Sequence, residues 1–227
     1  RQLIKKNSFL MLIIRIFRGL RRFIRSLDSS KSIDDYLGSH RVRKLQVGSG
    51  ANLLDGWLNT DYSLVSRNTV FLDATKRFHF PDDTLDYVFS EHQFENLTYP
   101  DGLHMLAECF RVLKPGGRIR VATTNLEAII GLYCSSESCS GQDFIDWVVN
   151  NCFADIGIYR SIFVVNNAFC NWNHRFLYDQ ETLKLAFEAV GFTGVVKYEY
   201  GQSECEHLRG IESTGKILEG EKIRRFD

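Results

Sequence analysis

The stretch KLQVGSG, residues 44–50, decides the fold of this 227-residue chain. Its first four residues have the composition of a short buried strand, and two glycines separated by one residue follow at once. Glycines at such a place allow a tight turn in which the backbone approaches a ligand closely. Because the first strand of a doubly wound α/β sheet ends in such a turn before a helix, the stretch predicts that strand and a ligand site beside it.

Downstream of this turn, short apolar runs alternate with segments of helical periodicity. The further predicted strands are Trp57–Tyr62, Thr69–Leu72, Leu85–Ser90, Arg118–Ala122 and Val195–Tyr200, and the predicted helices are Pro100–Leu113 and Asp179–Val190. The segment 114–117, Lys-Pro-Gly-Gly, ends the first of these helices, since proline cannot continue a helix and glycine supplies the turn. The alternation predicts an α/β protein with a doubly wound, mostly parallel sheet and helices on both faces.

Two carboxylates stand where the second and third predicted strands end. Asp61 can accept both hydroxyls of a ribose, and Asp73 can accept an adenine amino group. Either aspartate alone is typical of a turn, but both together after a glycine turn indicate a nucleoside site. A dinucleotide fingerprint would have a third glycine where this chain has Leu53. A nicotinamide-dependent oxidoreductase is therefore disfavoured.

Residues 1–27 differ from the rest of the chain. They hold eight basic residues and no acidic one, and their apolar and basic residues fall on different faces of a helix. The longest apolar run, Phe9–Ile14, has six residues, whereas a membrane-spanning helix needs about 20. We expect a basic amphipathic helix that either contacts an anionic membrane surface or docks on the domain or a partner subunit. An uncleaved organelle presequence is a third interpretation.

Charge and cysteine usage exclude several classes of partner. The residues after 27 carry 20 basic and 28 acidic side chains, and such an acidic body is not expected to bind nucleic acid. The six cysteines form no Cys-x-x-Cys pair, and no histidine cluster has zinc-ligand spacing, so no metal site is predicted. Scattered single cysteines are typical of a reducing compartment. We expect a cytoplasmic protein, peripheral at a membrane if residues 1–27 bind lipid.

Three segments in this order, residues 44–61, 71–96 and 106–125, resemble the class I S-adenosylmethionine-dependent methyltransferases. Residues 174–192 and 203–213 also look like this family. The resemblance is closest to the methyltransferase type 11 group, some members of which accompany polysaccharide-building enzymes. It covers roughly residues 43–213. It implies a Rossmann-like fold, methyltransferase activity and S-adenosylmethionine as the cofactor.

The resemblance also implies which residues bind the cofactor. The glycine turn would pass beneath its methionine part, Asp61 would bind the ribose, and Asp73 with Ala74 would bind the adenine. The full implied set is Gln46, Gly48, Ser49, Gly50, Asp61, Asp73, Ala74, Ser90 and Glu91. Gln46 stands where the family often has an acid, and its amide can orient the turn or hold the ammonium group of the cofactor. The seventh strand usual in the family has no obvious sequence here, because Lys216–Asp227 is too charged for a central strand. Either the chain is truncated before this strand, or the short segment 223–226 serves as a strand at an edge of the sheet.

Three residues are candidates for catalysis. The sulfonium activates its own methyl group, so the protein mainly aligns a nucleophile, and a hydroxyl nucleophile benefits from a general base. The family often has His-x-x-Glu-His after the fourth strand, and this chain has His92 and Glu95 there but Asn96 at the last position. We expect the base to be His92, then His174, then Glu95. The structural alternatives are that Glu95 orients a loop and that His174 packs among aromatic side chains.

Residues 135–175 follow the fifth predicted strand and predict an insertion that covers the ligand-binding edge of the sheet as a substrate lid. The predicted domains are thus the helix 1–27 and a methyltransferase domain, 28–227, that includes this lid. The predicted function is O-methylation of a sugar, glycan or glycolipid acceptor. Two alternatives stay open: methylation of a small aromatic or lipid acceptor, and a catalytically weak binding or scaffold module.

Overall fold

The computed structural model describes residues 29–63, 66–134 and 139–213. The predicted helix 1–27 and the segment Lys216–Asp227 lie outside the described residues. Five strands form one all-parallel sheet in the order β3-β2-β1-β4-β5. The strands are β1 (Lys44–Val47), β2 (Leu58–Asp61), β3 (Val70–Phe71), β4 (Leu85–Glu91) and β5 (Leu113–Ala122). The strand order reverses between β1 and β4, where ligands bind in open parallel sheets, and the predicted α/β fold is confirmed.

Helices flank this sheet. They are α1 (29–39), α2 (Tyr99–Val112), α3 (Leu126–Cys134), α4 (Cys139–Cys152), α5 (Ser161–Cys170) and α6 (Gln180–Ala189). Side chains cap two of them: Thr98 accepts a hydrogen bond from the backbone of α2, and Asp179 accepts one from the backbone of α6. Such caps satisfy amides that the first helical turn leaves unpaired. The two predicted helices are therefore confirmed to within one residue at each end.

The main core fills one face of the sheet, between the strands and the helices α1, α2 and α6. Its fully buried members include Leu45, Leu85, Val88, Met105, Leu106 and Ala186. In a smaller apolar cluster, Trp57, just before β2, and Phe89 of β4 pack with Leu208 from the one-turn helix Glu206–Leu208. Segment 205–211 thus covers the sheet where Trp57 and Phe89 lie.

The connection between β1 and β2 differs from the prediction, because no helix follows the glycine turn. Residues 48–57 form turns instead. A parallel crossover that contains a helix needs a dozen or more residues, and this connection has about ten. The side chain of Asn59 holds the loop: its Oδ1 accepts from the Leu54 amide at 2.9 Å, and its Nδ2 donates to the Leu54 and Trp57 carbonyls. The glycine turn therefore acts without the dipole of a helix that starts beside it.

The prediction of a sixth strand at Val195–Tyr200 is wrong. Residues 195–199 have no regular secondary structure, and Val196 is 62% exposed. A cavity of about 920 Å³ is bordered on one side by residues 113–124 and on the other by residues 193–198. A strand exists only when its backbone groups pair with a neighbour. This apolar segment does not pair with β5, the edge strand of the described sheet, and the cavity lies between them.

Helices α3, α4 and α5 follow β5 directly and form a second apolar cluster. Its buried members are Ile129, Leu132, Ile145, Val148, Val149, Val164, Ala168 and Leu177. This α3–α5 unit contains most of the insertion predicted at 135–175, and its role as a lid stays a prediction. No helix within the described ranges is long and apolar enough to cross a membrane.

Candidate active site

The glycine turn has the conformation that its sequence predicts. Gly48 and Gly50 have φ values of +74° and +51°, which lie in the left-handed region that favours glycine. A Cβ atom on Gly48 would lie 2.7 Å from the side chain of Gln93, so that position also requires glycine sterically. The amides of Gly48 and Ser49 both donate to the carbonyl oxygen of Thr60 at 2.9 Å. The turn is therefore fixed to the end of β2.

Asp61 stands beside this turn at the end of β2. Its Oδ2 accepts from the Gly50 amide at 3.0 Å, and its Oδ1 accepts from the Ser63 amide at 2.6 Å. Each carboxylate oxygen has a further lone pair, so both can still accept a ribose hydroxyl. The Leu72 amide donates to the Asp61 carbonyl at 3.1 Å and brings the ends of β2 and β3 together. The binding of ribose by Asp61 stays a prediction.

Asp73 and Ala74 follow β3 by two and three residues. The Asp73 Oδ1 accepts from the amide of Thr75 at 3.1 Å and from its hydroxyl at 2.7 Å, so this carboxylate also closes a turn. Ala74 is buried in the main core. The two residues predicted to contact adenine therefore lie at the same sheet edge as Asp61, and their contact with the cofactor stays a prediction.

Gln46 supplies a buried group that suits a ligand. It is 1% exposed, and its Oε1 has no hydrogen-bond partner among the described residues. The Nδ2 of Asn52, at the far end of the glycine turn, is likewise buried without a partner there. A buried polar atom left unpaired costs about 1–3 kcal/mol. An acceptor and a donor of this kind fit the ammonium and the carboxylate of an amino acid, which the cofactor carries, and sequence reasoning missed Asn52.

The other predicted cofactor residues lie at the end of β4. Ser90 is fully buried, and its hydroxyl donates to the Val47 carbonyl at 3.0 Å, which joins β4 to the strand before the glycine turn. The carboxylate of Glu91 accepts from the amide of Ser213 at 2.9 Å and from its hydroxyl at 2.8 Å. Glu91 therefore anchors the segment after the one-turn helix Glu206–Leu208, a role that its position in the sequence did not indicate.

His92 and Glu95 form a hydrogen-bonded pair in the turn after β4. The His92 Nδ1 lies 2.7 Å from the Glu95 Oε1, and His92 has a φ of +50°, a strained value for a residue with a side chain. The backbone of His92 is held at both groups: its amide donates to Ala122 at 3.0 Å, and its carbonyl accepts from Asn96 at 2.9 Å. The turn thus presents an imidazole, 35% exposed, in front of a fully buried carboxylate.

Glu95 is charged in spite of its burial. Burial alone would raise the pKa of this carboxyl, but the hydrogen bond and the positive charge of His92 and the hydrogen bond from Thr123 lower it below its usual value. Thr123 donates to Oε2 at 2.8 Å, and Thr124 donates to Oε1 at 3.1 Å. An ionised carboxylate only accepts, so His92 carries its proton on Nδ1, and the neutral ring is basic at Nε2.

His174 lies behind the same carboxylate. Its Nε2 is 4.0 Å from the Glu95 Oε1, its Nδ1 is 2.6 Å from the Ala168 carbonyl, and its side chain is 5% exposed. The three residues predicted for catalysis therefore lie together, and their catalytic role stays a prediction. His92 is the most exposed of the three, and it borders the cavity beside β5. Within the described ranges, no three His, Cys, Asp or Glu side chains are placed to hold a metal ion.

The match to known families falls on this part of the chain. The model of the type 11 methyltransferase domain matches residues 45–121, which run from β1 to β5. The matched residues include the glycine turn, both aspartates and the His92–Glu95 pair. Residues 45–121 are therefore similar to a methyltransferase domain. The prediction of a class I methyltransferase of the type 11 group is confirmed, and S-adenosylmethionine is the cofactor that goes with this family.

Solved structures resemble this methyltransferase domain at low sequence identity. An S-adenosylmethionine-dependent methyltransferase from Archaeoglobus fulgidus is 19% identical, with a TM-score of 0.44 over 88% of each chain. Phosphoethanolamine N-methyltransferase 2 from Haemonchus contortus, in complex with S-adenosyl-L-methionine, is 16% identical with a TM-score of 0.38. That match covers 74% of this chain and 37% of the other. No curated protein sequence matches the chain.

Proposed function

We propose that this chain transfers a methyl group from S-adenosylmethionine to a hydroxyl group of a sugar, glycan or glycolipid. The observation that carries the proposal is the 2.7 Å contact between the His92 Nδ1 and the buried carboxylate of Glu95, in the turn that follows β4. This contact makes Nε2 the basic atom of an imidazole that borders a cavity. A methyl transfer to a hydroxyl group needs such a base, because the hydroxyl proton has to leave.

Each residue of the site has a part in this reaction. The cofactor, when bound, supplies a methyl group that its sulfonium already activates. Asp61 and Asp73 would hold its ribose and adenine, and Gln46 with Asn52 would hold its amino-acid end. His92 would take the hydroxyl proton at Nε2. Glu95 would stabilise the imidazolium that results, and it fixes the ring orientation beforehand.

The polar end of the cavity supports a hydroxylated acceptor. Hydroxyl, amide and carboxylate side chains border it near His92, namely Thr123, Thr124, Asn125, Asp179 and Gln180. Polar groups in such number suit a ligand with several hydroxyls, because each hydroxyl both donates and accepts. The second candidate is a lipid or small aromatic acceptor. It is favoured by exposed apolar side chains on or beside the α3–α5 unit, which include Ile130, Tyr133, Ile162, Phe169 and Trp172.

The test is methyl transfer from labelled S-adenosylmethionine to panels of glycans, glycolipids, lipids and small phenols. His92→Asn should lower the rate by about 100-fold or more, the scale of general base catalysis, while cofactor affinity stays the same. Asparagine tolerates the left-handed backbone at this position. The matched control is His79→Asn, which changes an exposed histidine outside the site and should leave the rate unchanged. Equal rates for His92→Asn and the control would refute the proposal.

Binding separates the enzyme from the scaffold alternative. Calorimetric titration with S-adenosylmethionine should give saturable binding to the full chain. Absence of binding at millimolar cofactor would refute the enzyme proposal and favour a binding or scaffold module. Transfer to lipids or phenols, without transfer to any glycan, would favour the second acceptor class.

A further inference from the structure

Two histidines from distant parts of the fold converge on one buried carboxylate. His92 comes from the turn after β4, and His174 comes from the segment after α5. Both face the same oxygen, the Glu95 Oε1, at 2.7 Å from the His92 Nδ1 and 4.0 Å from the His174 Nε2. The Glu95 backbone strengthens the link, since its carbonyl accepts from the amides of Arg175 and Phe176 at 2.7 and 3.2 Å. Glu95 thus joins the turn after β4 to the chain leaving the α3–α5 unit.

The hydrogen bond of the His174 ring determines which of its nitrogens can take a second proton. A carbonyl oxygen only accepts, so the 2.6 Å contact with Ala168 places a proton on the His174 Nδ1. The neutral ring then turns the lone pair of Nε2 towards the Glu95 carboxylate, which is unfavourable. A second proton on Nε2 converts this contact into a charged pair. Either ring, when doubly protonated, therefore places its positive charge against the same carboxylate oxygen.

The other groups around this carboxylate are neutral or engaged elsewhere. Strand β5 is followed by Thr123 and Thr124, which contribute hydroxyl groups. Glu91, which precedes His92, accepts hydrogen bonds from Ser213. The side chain of Arg175 is exposed. Glu127 and Asp179 stand on the walls of the cavity that His92 borders. Within the described residues, the titratable side chains in ion-pair contact with Glu95 are those of His92 and His174.

We propose that His174 is a positioning residue that acts through Glu95 on the proton affinity of His92. The inference rests on the proposed function, in which His92 takes the proton of the acceptor. A carboxylate that already balances one positive charge stabilises a second one less. Protonation of either imidazole ring therefore makes protonation of the other less favourable. His174 therefore keeps His92 neutral, and ready to accept a proton, at a lower pH than Glu95 alone would permit. At 5% exposure, His174 acts from behind the carboxylate.

The test is NMR titration of the histidine rings in the full chain without cofactor. His174→Asn retains a side-chain N–H for the Ala168 carbonyl and removes the group that titrates at Nε2. It should raise the pKa of His92 by about one unit, the size of the Coulomb interaction between two partly buried charges. The reciprocal variant, His92→Asn, should raise the pKa of His174 by a similar amount. His79→Asn should move neither value.

Kinetics give the second readout. When kcat is measured as a function of pH, the rise on the acid side should shift to higher pH in His174→Asn. The value of kcat at high pH and the KM for the acceptor should change little. A pKa of His92 that stays within about 0.2 units of the unmodified protein would overturn the inference, and the reciprocal variant gives the same test if His174→Asn does not fold. Coupled titrations in a protein that methylates nothing would overturn the proposed function and leave the coupling between the histidines established.

Discussion

At the scale of single residues, Asp61 is the part of the cofactor site that can be tested most directly. Asp61→Ala should weaken the binding of S-adenosylmethionine by about 1–3 kcal/mol, because it removes charged acceptors from two ribose hydroxyls. Isothermal titration calorimetry measures this loss. The matched control is Asp34→Ala, which changes an exposed aspartate on α1. Unchanged affinity in Asp61→Ala would show that another residue binds the ribose.

Because of Glu95, the free energy of unfolding should vary with pH in the acid range. Its pKa in the folded protein lies below the ordinary value of 4.5. Its contribution to stability is therefore present above about pH 4.5 and is lost as the pH falls through the lower, folded value. Glu95→Gln should make the free energy of unfolding fall less steeply below pH 4.5. Urea unfolding at a series of pH values measures this slope, and a slope equal to that of the unmodified protein would contradict the assignment of the charge.

The same residues show how far the sequence could define the site. His92 and Glu95 were candidates because they follow the fourth predicted strand, and His174 was a candidate because it lies on the predicted lid. The burial of Glu95 could not be predicted, because it depends on Thr123, Thr124 and the chain at 174–176, which approach from distant parts of the sequence. The anchoring of Glu91 by Ser213, 122 residues away, was hidden for the same reason.

At the scale of elements, two polar contacts fasten the segment 200–213 to the sheet. Glu212 is 1% exposed and pairs with Arg120 of β5, whose Nε donates to it at 2.6 Å and whose guanidinium also donates to the Gln202 carbonyl at 2.7 Å. Ser213, the residue after Glu212, donates a hydrogen bond to the carboxylate of Glu91. Because Leu208 within this segment covers Trp57, the contacts also protect the smaller apolar cluster.

Removing one partner of this buried pair should be costly. Glu212→Ala should lower the free energy of unfolding by about 3–5 kcal/mol, because it leaves the Arg120 guanidinium largely buried without its counter-charge. Urea denaturation measures the loss. Glu188→Ala is the matched control, since it breaks the exposed pair between Lys184 and Glu188 and should cost below about 1 kcal/mol. Equal losses in the two variants would show that the Arg120–Glu212 pair does not hold the segment.

The N-terminal segment calls for a test of its own, because residues 1–27 lie outside the described residues. If its basic amphipathic pattern binds lipid, the full chain should float with vesicles that contain anionic lipid and should not float with neutral ones. A chain that begins at residue 28 should not float with either. A full chain that never floats with anionic vesicles would favour docking of this segment on protein.

At the scale of the whole molecule, the order of elements was predictable because each strand and helix has its own periodicity in the sequence. The sheet from β1 to β5 and the position of the site at the reversal of strand order follow from that order. The arrangement of the chain beside the edge strand β5 was not predictable in this way. Val195–Tyr200 has the apolar content of a strand, but a strand also needs a neighbour, and the sequence does not show the cavity that separates this segment from β5.

The described residues offer two places for a large ligand, and hydrogen exchange can distinguish them. The glycine turn with Asp61 and Asp73 predicts that S-adenosylmethionine slows exchange at residues 48–56, 60–63 and 72–75. The cavity beside β5, although it measures about 920 Å³, is bordered by none of these residues. Its far wall, 193–198, should exchange at the same rate with and without cofactor. Saturating cofactor should also stabilise the fold, by about 2.7 kcal/mol at 100 times Kd. If protection falls on 193–198 and spares the glycine turn, the cofactor lies beside β5, and the roles of Gln46, Asn52 and Asp61 are refuted together.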